Sequence, residues 1–154
     1  MFFKKKEKAV EKKKLLEMCN IRIGCPSMDK DDVIRQAGAM LCESGYVNQD
    51  YTEAMLKREE TFATCIGNGI ALPHGVEEAK KDIYSSGICV MVFPDGVQWG
   101  SEMVKLVIGI AGVGEEHLEI ISRIAEHFMD PDAVEKITGS SAEEIYEILG
   151  GEKA

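Results

Sequence analysis

The chain has 154 residues and a mass of 17.0 kDa, a length that supports one domain with a single hydrophobic core. Its formal net charge is −9, but the first 14 residues contain seven lysines and two glutamates, so the remainder carries −14. An acidic body repels nucleic acid, and no apolar run approaches the roughly 20 residues that a membrane-spanning helix requires. We therefore expect neither nucleic-acid binding nor a transmembrane segment.

The lysine-rich residues 1–14 are predicted to form an arm, and residues 15–151 the folded domain. Because the arm has little apolar surface, we expect it to be disordered. The alternative is a weak electrostatic attachment to anionic lipid, since each lysine contributes about 1 kcal/mol near such a surface. The lysines are not followed by the apolar segment of a secretory signal, which favours a cytoplasmic location.

The cysteines and histidines are dispersed along the chain. Five cysteines is an odd number and none forms a CxxC pair, so we expect free thiols. No histidine has a cysteine beside it, which argues against a structural zinc site. The sequence therefore predicts no metal.

Two helices are predicted in the first third of the chain, after a short strand over residues 20–24. The first begins near Asp29, follows an apolar stripe from Val33 and stops at Gly45. The second covers residues 50–60. Its inward-facing residues are predicted to be Tyr51, Ala54, Met55 and Phe62.

The middle of the chain predicts buried strands. A brief strand over residues 70–72 is cut off by Pro73-His74-Gly75, and continuous apolar runs follow over residues 88–93 and 104–111. A tight turn is expected at Pro94-Asp95-Gly96. Strands that are apolar throughout are buried on both faces, so they require helices on both sides. The predicted fold class is α/β, a three-layer α/β/α sandwich with a mixed β-sheet.

Three helices are predicted after the last strand. An amphipathic helix follows the glycine-rich residues 112–114, and short helices are expected over residues 131–137 and after Ser141, where Ser141 and Glu144 form a capping box. The apolar side of the amphipathic helix is predicted to contain Leu118, Ile121, Ile124, Ala125 and Phe128.

His74 is the first candidate for chemistry. Pro73 stiffens the backbone before it and Gly75 leaves open space after it, which suits a side chain held in one orientation. A neutral imidazole is a good nucleophile at pH 7, and a phosphoryl group on its nitrogen stays reactive. The alternative interpretation is an ordinary solvated loop histidine.

His117 and Arg58 are the second and third candidates. His117 lies in the first turn of the amphipathic helix, where free N–H groups and the helix dipole favour an anion. Arg58 offers a planar fork that binds phosphate in a bidentate manner. The alternatives are a polar residue at a helix start and a solvated arginine at a helix end. His127, further along the same helix, is interpreted as structural.

Four separate motifs resemble a known family. They are a segment over residues 46–59, Ile66-Gly67-Asn68-Gly69-Ile70-Ala71-Leu72-Pro73-His74-Gly75, Leu106-Val107-Ile108-Gly109-Ile110-Ala111-Gly112, and Glu116-His117-Leu118-Glu119-Ile120-Ile121. Together they resemble the enzyme IIA (EIIA) domain of the phosphoenolpyruvate-dependent sugar phosphotransferase system, most closely the mannitol branch of the mannitol/fructose class. The likeness extends from about Met18 to Leu149.

The resemblance implies a bacterial phosphocarrier without metal or cofactor. In the family, the residue matching His74 takes a phosphoryl group on Nε2 from the carrier HPr and passes it to a cysteine of the IIB domain for sugar uptake. The positions matching His117 and Arg58 steady that group. Some mannitol domains have a glutamate where this chain has Asn68, so any effect of that carboxylate on the basicity of the histidine is absent here.

Two alternatives to mannitol transport remain. One is a regulatory EIIA of the nitrogen-related type, which keeps the phosphorylatable histidine but acts by protein docking. The other is an EIIA for fructose or another polyol.

Overall fold

A five-stranded mixed sheet organises residues 13–150, the part of the chain that the computed structural model describes. The strand order is β1-β4-β5-β3-β2. The β1/β4 and β3/β5 pairs are parallel, whereas β4/β5 and β2/β3 are antiparallel. The strands are β1 (Ile21–Arg22), β2 (Cys65–Gly67), β3 (Ile70–Ala71), β4 (Gly87–Trp99) and β5 (Glu102–Ala111).

Within residues 13–150 five α-helices accompany the sheet, and their positions confirm the predicted order. They are α1 (Lys30–Glu43), α2 (Tyr51–Thr61), α3 (Glu116–His127), α4 (Pro131–Thr138) and α5 (Ala142–Leu149). Asp29 caps α1 by accepting from the N–H of Asp31, and the predicted Ser141/Glu144 capping box is present at α5. Short 3₁₀ helices cover Met18–Asn20 and Glu77–Asp82. No helix within residues 13–150 is long and apolar enough to cross a membrane.

The sheet is buried on both faces, as its apolar strands predict. Alternate residues of β4 enter opposite layers: Cys89, Met91 and Phe93 pack with α1 and α2, whereas Ile88, Val90 and Val92 pack with the helices that follow β5. The three-layer sandwich is therefore confirmed. Residues 1–12, which form most of the predicted arm, lie outside the described residues.

The tight turn predicted at Pro94-Asp95-Gly96 is wrong. β4 continues through these residues to Trp99, with a register shift against β5 between Val92 and Val97. Proline is tolerated at such a bulge because the local ladder is already interrupted. Val97 and Trp99 are fully buried, and this burial stabilises the part of β4 that follows the bulge.

Two residues predicted to face inward are exposed. Phe62 is 70% exposed because α2 ends at Thr61 and the chain turns to extended backbone at Phe62. Leu118 is 67% exposed because the buried position of α3 is Ile124, and at about 100° per residue Leu118 lies about 120° around the helix from it. The predicted strand over residues 20–24 is also shorter than expected, since β1 pairs with β4 only at Ile21 and Arg22.

Candidate active site

The site forms where two neighbouring parallel strands end. Because β3 and β5 run in the same direction, their carboxyl ends lie side by side, and the two chain segments that leave them carry His74 and His117. The segment after β3 stays against β5, since the N–H of Ile110 donates to the carbonyl of Pro73 at 2.9 Å. Clefts outside the carboxyl ends of parallel strands are common ligand sites in α/β proteins.

A buried tyrosine clamps the loop around His74. The hydroxyl of Tyr51 donates to the carbonyl of Ile110 and accepts from the N–H of Gly75, each at 2.9 Å. A Cβ on Gly75 would lie 2.6 Å from the Tyr51 ring, so glycine is required for this close approach. Sequence patterning placed Tyr51 in the core but gave no indication of its hydrogen bonds.

His74 has one ring nitrogen committed to the backbone. Its Nδ1 lies 2.7 Å from the carbonyl oxygen of Leu72, and a carbonyl can only accept, so Nδ1 carries the proton. Nε2 therefore keeps a free electron pair. Burial lowers the pKa of His74 from its ordinary value, and the charges of His117 and Arg58 lower it further. The hydrogen bond to Leu72 and the negative charge of Glu59 act in the opposite direction. The ring is neutral at pH 7, as a nucleophile must be.

His117 lies beside His74. The ring centroids are 5.1 Å apart and the ring planes meet at 64°. Burial lowers the pKa of His117, the charges of Lys80 and Arg58 lower it further, and Glu77 opposes them. A second imidazole is therefore held within reach of a group attached to His74.

Arg58 brings a positive charge close to both histidines. It lies in the last turn of α2, close enough to both histidines for its charge to lower the pKa of each. One guanidinium nitrogen, Nη1, donates to the carbonyl of Phe62 at 2.9 Å. Within residues 13–150 no carboxylate forms an ion pair with Arg58. Its remaining donors are thus available to an anion.

The first N–H groups of α3 contribute less than the sequence suggested. The amide of Glu116 donates to the carbonyl of Val113 at 3.0 Å, and that of His117 donates to the carbonyl of Gly114 at 3.4 Å. These bonds close the turn that starts the helix, so two of the donors expected to face an anion already have partners. The side chains of the site carry the larger share of any anion binding.

His127 and Asn68 lie away from the site. His127 is near the opposite end of α3, where its ring meets Phe128 edge-on at 4.6 Å. Asn68 donates to the carbonyls of Phe128 and Met129, both at 3.0 Å, in the turn that precedes β3. That turn pairs with Lys105 on β5 while His74 pairs with Ile110, which corresponds to a separation of about 15 Å along the strand. The side chain at position 68 is therefore too distant to affect His74 directly.

The donor set of the site suits an anion. It joins a neutral imidazole, a second imidazole and a guanidinium that has no carboxylate partner between residues 13 and 150. Among residues 13–150 no group of three or more His, Cys, Asp or Glu side chains is arranged to hold a metal ion. The fold and the site define a protein built to carry a transferable anionic group, such as a phosphoryl group, on a histidine.

Comparison with known proteins gives the same class. Residues 14–151 match the family described as phosphoenolpyruvate-dependent sugar phosphotransferase system, EIIA 2. The mannitol-specific phosphotransferase enzyme IIA component of Halalkalibacterium halodurans is 42% identical over 137 residues, covering 88% of this chain and 94% of that protein. This chain therefore belongs to the EIIA 2 family of the sugar phosphotransferase system.

Two solved structures from Escherichia coli share the fold. The crystal structure of IIA mannitol has a TM-score of 0.78 and 36% identity, covering 84% of this chain and 95% of that one. A complex of enzyme IIA and phosphorylated enzyme IIB of the mannitol system has a TM-score of 0.81 and 35% identity, covering 88% of this chain and 98% of that one. The α/β architecture is thus that of the family.

Proposed function

We propose that this protein is a phosphocarrier for mannitol uptake that accepts a phosphoryl group from phospho-HPr on His74 and passes it to a cysteine of a IIB domain. The observation that carries the proposal is the fixed tautomer of His74, in which the bond from Nδ1 to Leu72 leaves Nε2 as the nucleophile. The mannitol assignment rests on the names of the relatives, which are about two-fifths identical to this chain. Transfer of this kind places the protein in the cytoplasm, beside a membrane partner.

The first transfer, from the phosphohistidine of HPr to His74, makes one nitrogen–phosphorus bond and breaks another. The electron pair on Nε2 of His74 forms a bond to phosphorus while the bond from phosphorus to the donor nitrogen breaks, and that pair returns to the donor ring. The proton stays on Nδ1, which donates to the carbonyl of Leu72 throughout. In the second step a cysteine thiolate of IIB attacks the phosphorus and the electron pair of the N–P bond returns to Nε2. In-line positioning and charge stabilisation supply the catalysis.

His117 and Arg58 are the residues that stabilise the phosphoryl group in this proposal. Both lie close enough to His74 to influence its pKa, and Arg58 has no carboxylate partner among the described residues. The guanidinium binds two phosphoryl oxygens in a fork, and the ring N–H of neutral His117 adds a further donor. The charge that spreads over the equatorial oxygens during transfer is thereby neutralised.

An exposed apolar rim near the histidines fits a protein partner. Phe62 and Leu118 are about two-thirds exposed, and Val113 is 44% exposed. Phe62 lies beside Arg58, whereas Val113 and Leu118 lie on either side of the start of α3. Exposed apolar groups beside a polar site are typical of surfaces that bind a protein partner. The acidic body adds long-range attraction for partners with basic surfaces.

The test is phosphorylation by ³²P-phosphoenolpyruvate with enzyme I and HPr. We expect one acid-labile label on the wild type, none on His74→Ala, and loss of onward transfer with retained labelling in His117→Ala. Label retained by His74→Ala would refute the proposal. Transfer of the label to mannitol and fructose IIB domains, compared at equal concentration, identifies the sugar system, and a protein that labels but serves neither IIB domain would favour the regulatory alternative.

A further inference from the structure

A carboxylate outside the phosphoryl site collects an unusual number of donors. Glu59 is 6% exposed, and its carboxylate accepts from the N–H of Thr64 at 3.0 Å, the hydroxyl of Thr64 at 2.6 Å and the indole N–H of Trp99 at 2.9 Å. The ammonium of Lys30 lies 3.9 Å from it. The same carboxylate thereby links α2, the end of β4 and the chain that enters β2.

This burial distinguishes Glu59 from other acidic residues of the same helix. Glu53 and Glu60 are exposed, as acidic side chains on a helix surface usually are. A buried carboxylate destabilises a protein unless hydrogen bonds replace the water that it loses. The donors from Thr64 and Trp99 satisfy it, so the position of Thr64 is tightly coupled to the position of Glu59.

One path leads from this carboxylate to Arg58 through the backbone. Glu59 holds Thr64, which lies two residues after Phe62 in the chain. The guanidinium of Arg58 donates to the carbonyl of Phe62 at 2.9 Å, and the N–H of Phe62 lies 3.5 Å from the carbonyl of Arg58. The support of the guanidinium is therefore a backbone segment fixed by Glu59.

A second path leads to His74. The carbonyl of Thr64 accepts from the N–H of Leu72 at 3.0 Å, and the carbonyl of Leu72 accepts from Nδ1 of His74 at 2.7 Å. The orientation of the nucleophile thus depends on the same threonine. Both paths begin at Glu59 and end at the two groups that the transfer requires.

We propose that Glu59 is a positioning residue for phosphoryl transfer: through Thr64 it fixes the Arg58 guanidinium and the His74 ring in one arrangement. The inference rests on the roles proposed above for His74 and Arg58. Glu59 does not touch the phosphoryl group, because its carboxylate is buried against Thr64 and Trp99. Small displacements of reacting groups are sufficient to slow a transfer by about 100-fold.

The first test compares Glu59→Gln with Glu60→Gln. Glutamine keeps the size of the side chain but turns an amide donor toward a site that contains only donors, whereas Glu60→Gln removes the same charge from an exposed neighbour. We expect the single-turnover rate of His74 phosphorylation at saturating phospho-HPr to fall at least about tenfold in Glu59→Gln, with the donor concentration for half-saturation unchanged. Glu60→Gln retains the wild-type rate.

The second test uses Thr64, which keeps the inference testable if Glu59→Gln fails to fold. Thr64→Val removes the hydroxyl donor at nearly constant volume, and Thr64→Ser keeps it. We expect Thr64→Val to slow phosphorylation several-fold and Thr64→Ser to restore most of the rate. Nitrogen-15 NMR of the imidazole adds a direct readout: Nδ1 of His74 loses part of its protonated population in Thr64→Val and keeps it in Thr64→Ser.

Several results would overturn the inference. One is a wild-type rate in both Glu59→Gln and Thr64→Val. Another is an equal loss of rate in Thr64→Val and Thr64→Ser. The third is a loss of rate in Glu60→Gln equal to that in Glu59→Gln. The control for the underlying function is separate: if His74→Ala accepts label, the phosphocarrier proposal fails. If His74→Ala is inactive and folded Glu59→Gln transfers normally, only the positioning role fails. Thermal unfolding, followed by the fluorescence of Trp99, the single tryptophan, verifies folding of each variant.

Discussion

The two nitrogens of His74 have different surroundings. Nδ1 donates to the carbonyl of Leu72, whereas Nε2 keeps the electron pair that the proposed transfer uses. Burial lowers the pKa of His74 and keeps the ring neutral. In the proposed transfer, one backbone contact and partial removal from water make this loop histidine the nucleophile.

The lowered pKa values predict how the protein responds to pH. Since only the neutral ring is nucleophilic, the phosphorylation rate should reach half its maximum below the ordinary histidine pKa of 6.5. Below pH 6.5 the unfolded chain binds protons that folded His74 and His117 do not, so stability should fall as the pH drops from 6.5 toward their folded pKa values. NMR titration and thermal unfolding across this range measure both effects.

A variant separates the contribution of His74 from those of other groups. His74→Gln removes one of the two depressed pKa values, so its melting temperature should depend less steeply on pH between the folded pKa and 6.5. A titration midpoint of His74 at or above 6.5 would contradict the assignment of burial as the dominant cause.

At the scale of elements, the site depends on how two segments leave neighbouring strands. Tyr51 on α2 bonds to both segments, one bond to Gly75 after β3 and one to Ile110 near the end of β5. Burial raises the pKa of Tyr51 to about 12, so the hydroxyl keeps its proton and donates at neutral pH. The tyrosine is therefore a cross-link between the strand ends.

Removing this hydroxyl should loosen the loop that carries His74. Tyr51→Phe leaves the N–H of Gly75 and the carbonyl of Ile110 without this buried partner, which costs about 1–3 kcal/mol. Chemical denaturation measures the loss, and Tyr84→Phe, at a residue that is 67% exposed, is the matched control. Equal stabilities of the two variants would contradict the cross-link.

The start of α3 is set by a close backbone approach. A Cβ on Gly112 would lie 2.3 Å from the Cα of His117, closer than side-chain carbons approach backbone atoms. We expect Gly112→Ala to displace the helix start and to slow transfer from phosphorylated His74 to IIB by at least about tenfold. Gly139→Ala is the control, because its nearest contacts are at 3.7 and 3.9 Å, and it should transfer normally. Normal transfer in Gly112→Ala would show that the helix tolerates the shift.

At the scale of the whole molecule, the chain entering the domain is part of the core. Leu16 is fully buried, the carbonyl of Lys14 accepts from the hydroxyl of Tyr46, and the carbonyl of Leu15 accepts from the N–H of Ile88. The carboxyl end of the lysine-rich segment thus runs against β4. We propose that the phosphocarrier domain comprises residues 15–151 and that the residues before Lys13 are dispensable for phosphorylation.

Truncation and substitution test this boundary. Deletion of residues 1–12 should leave the melting temperature and the labelling of His74 unchanged, since the contacts at Lys14 to Leu16 remain. Leu16→Ala should lower stability by about 2–5 kcal/mol because it opens a cavity between the sheet and its helices. A deletion that destabilises as much as Leu16→Ala would place the amino-terminal residues in the folded unit.

Local patterns in the sequence determined most of the elements. The apolar runs of β4 and β5, the acidic start of α1 and the capping box of α5 each depend on neighbouring residues, and each lies where it was predicted. The Pro73-His74-Gly75 segment also identified the nucleophile candidate. Phe62 and Leu118 were misjudged because helical periodicity does not report where a helix ends or which residue turns toward a site.

Only the tertiary structure decided what surrounds that histidine. The strand order β5-β3 brings His117 to His74, and the packing of α2 adds Arg58, although the three residues lie far apart in the chain. In the sequence Glu59 does not differ from the other acidic residues of α2. Its burial follows from contacts with Thr64 and Trp99, which belong to other parts of the fold. Periodicity and capping depend on residues within a turn or two, whereas a site depends on contacts between elements, which only the folded chain establishes.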